Sequence, residues 1–502
     1  MPSKDETQAL LAAPPPQDKT PSYHSVQIDI KQTLSLPQTL ASSRPPTPPK
    51  SMCDCECDCE CERGVPIVTS VHLHPPSHQT SMSPSHAAKS TTSVPVVVVM
   101  TFMTLFMSVV GAGMLSIPYL FASTPPAVVL ASLVAVGLGM GYTAELLVRV
   151  HIATNLSTFN GLAHAAFGSL FSKMVSVTTI FAILGACVGC LEIVRDLSPF
   201  LLHLVGIETT LDPATVVLTV FLLGIYPLTL LKKLTALRFS SYVGFVASIY
   251  LVVAVSMRSR PAQVEAAHPT SANLPLKVAH VVSVFNYAFV SHLNVIPLFV
   301  NLQVAVAAHS RRHLLSTSST SATLVLMQWV ILAMSVFCIG MYTIFGLHAI
   351  DLYGSATQGN ILLNLENDSV MEFPRVAVLV TILFSFPLLF HPFAMLVEAF
   401  GLQLLGRDQK PLSRGAKAVA SLVLLFVVVL VATVMPGIQV TFSLTGASCV
   451  TLICYLFPVV CYLRLCPDEP LLRRAVAVLV GVFGVVTGAA ATAMVFLGTN
   501  LA

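Results

Sequence analysis

Ionisable and hydroxyl side chains inside long apolar stretches are the residues of this chain most able to carry chemistry, because such groups are rare within a membrane. His292 lies near the predicted middle of one stretch, where its imidazole either titrates near physiological pH or stays neutral against a nearby carbonyl. Ser385 lies between two phenylalanines in another stretch, where its hydroxyl either ligates a small cation or bonds its own helix. Both are predicted ion-coupling residues, and His292→Ala is expected to remove any pH dependence.

Two of the apolar stretches are interrupted by glycine and proline at corresponding places. The first reads Gly111-Ala112-Gly113-Met114-Leu115-Ser116-Ile117-Pro118, and the second reads Ser291-His292-Leu293-Asn294-Val295-Ile296-Pro297. Non-helical backbone at membrane depth is tolerated only where it is buried in protein or lines a cavity. Paired interruptions in two halves of a chain therefore predict the substrate site of a transporter.

The residues of these interruptions are predicted to bind a small polar substrate. A helix that restarts after Gly113 turns its positive end toward the site, which suits a carboxylate, and Ser116 adds a hydroxyl. Close packing of two helices is the alternative role for Gly-x-Gly, and the amide of Asn294 could instead satisfy opened backbone. The predicted substrate-binding residues are Gly111, Ala112, Gly113, Met114, Leu115, Ser116, Tyr287, Ser291, His292 and Asn294.

Other charged residues of the apolar stretches are predicted to have structural roles. Glu192 and Arg195 are three residues apart and are expected to pair on one helix face near the outer surface, away from substrate. Glu145 and Arg149, at a spacing of four, are expected to anchor the inner end of the second stretch. The Cys187-x-x-Cys190 pattern lies inside a membrane stretch and is interpreted as structural. No catalytic residue, metal site or cofactor is predicted.

The composition indicates an integral membrane protein. The chain of 502 residues is 55% hydrophobic and 10% charged, whereas a soluble protein has about 25% charged residues. This excludes a soluble enzyme, and a net charge of +3 without a basic, aromatic-rich block excludes nucleic acid as a partner. Eleven stretches are long enough to span a bilayer, at residues 94–121, 125–149, 173–204, 213–231, 235–257, 277–300, 321–347, 375–400, 416–435, 438–464 and 472–497.

Residues 1–93 differ in composition from the membrane domain, residues 94–502. They are rich in Pro, Ser, Thr and His, which predicts disorder, and the excess of Lys and Arg in alternate loops places them in the cytoplasm. A repeat of Cys alternating with Asp or Glu at 53–62 has three alternative explanations, which are low-complexity sequence drift, metal binding and palmitoylation. A dileucine-like motif at 6–11 suggests a sorting adaptor, and the sequon at Asn367 predicts glycosylation on the outer side.

Three motifs resemble the amino acid/auxin permease family, particularly its sodium-coupled neutral amino acid transporter branch. They are Val109–Tyr119, Phe289–Pro297 and, in the tenth stretch, Met435–Ile438 with Thr445–Ala447. The resemblance covers about residues 94 to 497. It implies an all-α fold of eleven transmembrane helices, with a leucine-transporter-like five-plus-five inverted repeat and broken helices one and six. It also implies alternating access to an amino acid held between those two helices.

One departure from that branch concerns the coupling ion. The branch has an asparagine sodium ligand four residues before the first glycine, where this chain has Met107, while its span-eight threonine aligns with Ser385. A thioether does not replace an oxygen ligand for a hard cation, so coupling to H+, coupling to Na+ or uniport all remain open. The chain is expected to be a secondary amino acid transporter of the plasma membrane or an endolysosomal or vacuolar membrane. The alternative is an amino acid sensor whose tail recruits a cytosolic partner.

Overall fold

The computed structural model describes residues 93–208, 210–230, 239–258, 274–312, 319–366, 371–406 and 412–496. These ranges contain helices and turns and no β-strand. The α-helices are α1 (Val94–Val109), α2 (Ile117–Ser123), α3 (Pro126–Thr154), α4 (Phe159–Asp196), α5 (Ser198–Val205), α6 (Pro213–Thr229), α7 (Phe239–Arg258), α8 (Leu274–Ala288), α9 (His292–Arg312), α10 (Ser319–Tyr353), α11 (Ile361–Asn364), α12 (Glu372–Leu404), α13 (Arg414–Val434), α14 (Ile438–Thr445), α15 (Phe457–Leu465) and α16 (Leu471–Phe496).

Short segments of other helix types connect some of these helices. The 3-10 segment Ala112–Ser116 lies between α1 and α2, and two π-helical turns, Gly446–Val450 and Leu452–Leu456, join α14 to α15. Local sequence also sets several helix starts. The side chains of Asp212 and Ser413 each accept a hydrogen bond from the backbone N–H three residues further on, which caps α6 and α13.

The helices have the length and apolarity of membrane spans. Eight helical stretches of the described residues are long and apolar enough to cross a bilayer, with α8 and α9 counted as one stretch and α14 and α15 as another. The pair α1 and α2, bent by 46°, makes a ninth. Two shorter apolar helices, Pro213–Thr229 and Val243–Arg258, lie where the fourth and fifth stretches were predicted. The predicted all-α membrane class is confirmed, while the count of eleven spans stays a prediction.

Helix packing divides the described spans into two groups. Helices α1, α2, α3, α8, α9 and α10 pack against one another, and α4, α6, α12 and α13 form the second group. The fifth span, α7, contacts α1, α10 and α12, while α14 in the tenth span contacts both α4 and α8. The fifth and tenth spans therefore occupy equivalent connecting positions, as expected for a five-plus-five repeat.

The outward faces of the helices are apolar, as lipid requires. Leu170, Leu223 and Leu479 are each about 70% exposed, whereas polar groups such as Ser116 and Asn286 are fully buried. The third predicted span began at residue 173, but α4 begins at Phe159. Gly168 explains the difference, because its φ of 81° turns the chain between a short first section and the membrane section.

Candidate functional site

The first interruption overlaps the predicted one at 111–118, although residues 117 and 118 already lie in the restarted helix. Helix α1 ends at Val109, residues 110 and 111 are non-helical, and α2 begins at Ile117 after the 3-10 segment. Pro118 is the second residue of α2, where a missing backbone N–H removes no helix hydrogen bond. The chain direction changes here by 46°.

The second interruption is shorter than predicted. Helix α8 ends at Ala288 and α9 begins at His292, so only residues 289–291 are non-helical. The prediction that the interruption extends to Pro297 is wrong, because Pro297 lies inside α9. A proline removes one helical hydrogen bond, and a membrane helix tolerates that loss when neighbouring groups satisfy the freed carbonyl.

A tyrosine that the sequence analysis missed brings the two interruptions together. The Tyr342 hydroxyl on α10 lies 3.1 Å from the carbonyl oxygen of Val109 and 3.3 Å from that of Ala288. These are the last carbonyls of α1 and α8, and the Val109 carbonyl oxygen also accepts a hydrogen bond from the Gly111 backbone N–H at 2.9 Å. The Asn294 amide adds a second link by donating to the Ser108 hydroxyl at 2.7 Å. A buried tyrosine hydroxyl usually needs a polar partner, so a tyrosine within an apolar stretch was the feature of the sequence that could have identified Tyr342.

An aromatic pair covers the first interruption. A Cβ atom on Gly113 would lie 3.1 Å from Tyr287 Cδ1 and 3.2 Å from the Ala288 Cα, so only glycine fits without movement. The Tyr287 ring stacks on the Phe442 ring of α14, with centroids 4.2 Å apart and planes 12° apart. Tyr287 was a predicted site residue, whereas Phe442 was missed. The 111–116 backbone is therefore closed over by a lid that spans α8 and α14.

His292 is held at the start of α9 by a neighbouring helix. Its Nε2 lies 2.9 Å from the Thr143 hydroxyl on α3, and that hydroxyl also lies 3.1 Å from the Met140 carbonyl oxygen. If the hydroxyl donates to the carbonyl, the imidazole N–H at Nε2 donates to the hydroxyl. Across the described residues, His292 Nδ1 and Ser116 Oγ have no hydrogen-bond partner although both are buried. His292 Nδ1 and Ser116 Oγ, which lie beside the interruptions, are therefore candidates for hydrogen bonding to a ligand.

The place expected for a sodium ligand in span one is apolar. A Cβ atom on Gly244 of α7 would lie 2.9 Å from the Met107 methyl and 2.6 Å from the Thr381 methyl of α12. The Thr381 hydroxyl donates to the Ala377 carbonyl of its own helix. Ser385, one turn further along α12, is half-buried. Methyl groups therefore meet where oxygen ligands would be needed, so these residues do not fit a sodium ion.

The expected Glu192–Arg195 ion pair is wrong. The Arg195 guanidinium donates to the carbonyl oxygens of Ala432 and Met435, at 2.6 and 2.8 Å, and contacts the Asp196 carboxylate at 3.4 Å. The unpaired carbonyls that end α13 carry negative partial charge and attract the guanidinium. Glu192 is fully buried, and within the described part of the chain neither carboxyl oxygen has a hydrogen-bond partner.

A polar network lies at the opposite, predicted inner end of the spans. The expected Arg149–Glu145 pair is confirmed at 2.8 Å, and Arg149 also contacts Glu469 at 3.2 Å. Gln328 of α10 donates to Glu145 at 2.7 Å. Because Glu469 lies in the turn before α16, this network joins the first helix group to the α15–α16 connection.

Several other predicted features have plain outcomes. Cys187 and Cys190 are buried, unpaired thiols, and the described ranges contain no cluster of His, Cys, Asp and Glu that could hold a metal ion. The Cys-Asp/Glu repeat at 53–62, the sorting motif at 6–11 and the sequon at Asn367 lie outside the described residues. An apolar groove of about 450 Å³ lies away from both interruptions, between α3, α8 and α16.

The all-helical fold, with its apolar spans and two adjacent interruptions, is that of a multi-pass membrane protein of the leucine-transporter-like fold class. The family described as transmembrane amino acid transporter protein matches residues 96–499, and the chain belongs to this family. The resemblance to the amino acid/auxin permeases is thereby confirmed.

Two known proteins illustrate the relationship. Solute carrier family 38 member 10 of Mus musculus is 23% identical over 379 residues, which cover 72% of this chain and 33% of the mouse protein. The chain therefore spans about a third of the length of that relative. A mutant manganese transporter of Eremococcus coleocola is similar in structure at a TM-score of 0.50 and 12% identity, over 83% of this chain and 91% of that one. This second likeness concerns the fold alone.

Proposed function

We propose that this protein is a secondary transporter that moves amino acids across a membrane by alternating access. The observation that carries the proposal is the position of the Tyr342 hydroxyl between the last carbonyls of α1 and α8. Because this hydroxyl lies within reach of both helix ends, the two interruptions are neighbours, and one small molecule can contact the backbone of each. Family membership supports an amino acid as that molecule.

The two charged ends of an amino acid fit the two polarities of the interrupted helices. Helix C-terminal carbonyls, here those of Val109 and Ala288, carry negative partial charge and suit an ammonium group. The N-terminal end of the helical half that contains α2 carries positive partial charge and suits a carboxylate. Ser116, buried and without a partner, supplies a hydroxyl at that end. The backbone of residues 111–116 is thus proposed to bind the substrate, as the sequence suggested.

The second interruption supplies the other wall of the proposed site. Ser291 is buried at the break, and His292 begins α9 with its Nδ1 atom unpartnered. The Asn294 side chain fixes the position of α9 relative to α1, because its amide donates a hydrogen bond to the Ser108 hydroxyl. Tyr287 is proposed as the residue that opens and closes over the bound amino acid, because its ring already packs on Gly113.

Alternating access follows from the two helix groups. Opening toward the predicted outer side requires the Tyr287–Phe442 stack to separate, because its two rings come from α8 and α14. Opening toward the predicted inner side requires the Arg149–Glu469 contact to separate, because it joins α3 to the α15–α16 turn. Each of these two contacts therefore joins the first helix group either to the tenth span or to the turn between that span and α16. Alternating access requires only one of the two contacts to be open at a time.

Proton coupling is the proposed energy source. The apolar contact of Met107 and Thr381 at Gly244 opposes a sodium site between spans one and eight, and Ser385 alone adds a single hydroxyl.

The N-terminus is proposed to be cytoplasmic, and glycan attachment at Asn367 would place the loop before α12 outside the cytoplasm or in a lumen. The membrane is proposed to be the plasma membrane or an endolysosomal or vacuolar one. No observation favours the sensor alternative.

The test is uptake into liposomes that contain the purified full chain. Labelled alanine, glutamine, lysine and glutamate are supplied separately, with pH and sodium gradients imposed independently. Accumulation of at least one of them under an inward proton gradient, with exchange when the gradient is absent, is the expected result. A protein that moves and exchanges none of these amino acids under either gradient contradicts the proposal.

A further inference from the structure

Glu192 is an unexplained charged residue next to the proposed substrate site. Its side chain is fully buried, and both carboxyl oxygens lack a hydrogen-bond partner among the residues that the structure describes. Such a group cannot remain ionised in a dry, unpaired position without a large penalty. The residue lies on a helix face that packs inside the protein, so no contact with water stabilises its charge.

The position of Glu192 on its helix links it to the aromatic lid. Gly185, Gly189 and Glu192 share the face of α4 that packs along α14, because side chains three and four residues apart align. A side chain on Gly185 would meet Thr445, and one on Gly189 would meet the Phe442 ring. Glu192 continues this stripe by about one turn. It therefore lies beside the segment whose Phe442 ring stacks on Tyr287 over the first interruption.

The charged and polar groups around Glu192 leave its carboxyl group without a fixed partner. On its own helix, Arg195 is engaged by Asp196 and by two carbonyl oxygens of the α13 end, so the guanidinium is not available. From α14 the Thr441 hydroxyl lies close enough to the Glu192 carboxyl group to interact with it weakly, although no hydrogen bond of good geometry holds either buried group in place. The Tyr287 hydroxyl of α8 lies within electrostatic range of Glu192, and the Cys187 and Cys190 thiols lie within range of that same hydroxyl.

We infer that Glu192 is the group that carries the coupling proton during transport. The inference rests on the proposed amino acid transport and adds its coupling residue. A proton is the cation that needs no extra volume, and the surrounding Val188, Leu191 and Phe442 side chains are at most 2% exposed. Burial favours the neutral form of any ionisable group. The neutral form of a carboxyl group holds a proton, whereas the neutral form of the buried His292 imidazole has released one. Of these two buried groups, the one whose neutral form carries a transferable excess proton into a dry, closed conformation is Glu192.

The proton transfer balances in each direction. When the lid side is open to water, a hydronium ion gives a proton to the Glu192 carboxylate and leaves as a water molecule. The neutral acid is then compatible with the dry, closed conformation, in which Tyr287 and Phe442 stack again. When the opposite side opens, the acid gives its proton to a water molecule and the carboxylate is regenerated. Arg195 and Asp196, at 19% and 15% side-chain exposure, mark the wetter end of α4, one turn from Glu192.

The experiment compares proton-driven accumulation with exchange for the full chain in liposomes, with the membrane potential held at zero. The probe is whichever of labelled alanine, glutamine, lysine and glutamate the wild-type protein takes up fastest. At one proton per neutral amino acid, an inward gradient of one pH unit supports about tenfold accumulation. Glu192→Gln keeps the shape of the neutral acid but cannot release a proton. It is expected to exchange amino acid within about twofold of wild type and to reduce accumulation to the level without a gradient.

Matched variants decide between the outcomes. Glu208→Gln, the same change at an exposed carboxylate, is expected to accumulate like wild type, and Glu192→Asp is expected to retain coupling with a shifted pH profile. Proton-driven accumulation by Glu192→Gln at the wild-type level overturns the inference. So does loss of lysine exchange with alanine exchange intact, which would make Glu192 a subsite for a cationic substrate. If wild type moves no amino acid at all, it is the proposed function that fails.

Discussion

The Tyr342 hydroxyl and the Val109 carbonyl oxygen are 3.1 Å apart, which places a phenol from α10 at the point where α1 stops. The same hydroxyl lies 3.3 Å from the Ala288 carbonyl at the end of α8. A phenol has one hydrogen to donate, so the Tyr342 hydroxyl shares that hydrogen between the carbonyl oxygens at the ends of α1 and α8. One side chain therefore fixes the spacing of the two carbonyls proposed to receive the substrate's ammonium group.

Tyr342→Phe is expected to weaken amino acid binding while leaving the protein folded. Loss of one hydrogen bond amounts to about 1 kcal/mol, so the dissociation constant should rise about five- to tenfold. Equilibrium binding of labelled amino acid to the purified variant measures this change. Tyr226→Phe is the matched control, since the Tyr226 hydroxyl donates to the Ala418 carbonyl far from the interruptions. Equal effects of the two changes on affinity would count against the proposed role of Tyr342.

Gly113→Ala is expected to abolish most uptake. The added methyl would lie 3.1 Å from Tyr287 Cδ1 and 3.2 Å from the Ala288 Cα, and the backbone atom cannot move aside as a flexible side chain could. The aromatic lid and the 111–116 backbone would be pushed apart. Gly224→Ala on α6 is the control, because a Cβ there has no heavy atom within 4 Å. Initial uptake rates at matched protein content distinguish them, and a Gly113→Ala rate equal to wild type would refute this packing argument.

Thr143→Val is expected to destabilise the protein without changing the pH dependence of accumulation. The change keeps the side-chain shape but removes the partner of His292 Nε2, at about 1 to 3 kcal/mol for an unsatisfied buried donor. His292→Ala in the Thr143→Val background should then add less destabilisation than it does alone. Thermal unfolding of the two single variants and the double variant gives the coupling. Strict additivity, or a flattened pH profile in the His292→Ala variant, would contradict this assignment.

Glu469→Gln is expected to increase the reactivity of Cys466, which lies in the turn between α15 and α16. Burial raises the pKa of the Cys466 thiol, and the Glu469 carboxylate raises it further, against the opposing effect of Arg149. Removing the carboxylate lowers that pKa, so more thiolate is present at a given pH. The change also removes the ion pairs of Glu469 with Arg149 and Arg473.

The rate of Cys466 modification by N-ethylmaleimide at pH 7.5, followed by peptide mass spectrometry, measures this effect. An increase of roughly twofold or more is expected, with Glu208→Gln as the charge-matched control. Slower modification in the Glu469→Gln variant would show that the carboxylate does not act on the thiol as described.

Sequence was sufficient for features that depend on local chemistry. The presence of the first interruption, and of Pro118 inside the restarted helix, follows from Gly-x-Gly and proline. The Glu145–Arg149 pair follows from its spacing of four residues. Both are decided within one or two helical turns, where no distant partner competes.

Sequence was insufficient for features that depend on which face of a helix points inward. In a membrane both the lipid side and the protein core are apolar, so hydrophobic periodicity no longer orients the helix. Glu192 was accordingly predicted to pair with Arg195 on one helix face, whereas it is fully buried on the face toward α14 without that pair. The partners of Tyr342 and Thr143 come from helices more than fifty residues away in sequence, and no local pattern indicates them.

A density map of the purified protein with a bound amino acid tests most directly whether backbone from both interruptions holds the substrate. The cryo-electron microscopy sample would contain the amino acid that wild type takes up fastest, beside a sample without it. Density between residues 111–116 and 289–292, present only with the amino acid and close to the Val109 and Ala288 carbonyls, is the predicted result. Density confined to the apolar groove between α3, α8 and α16, with the two interruptions unchanged, would contradict it.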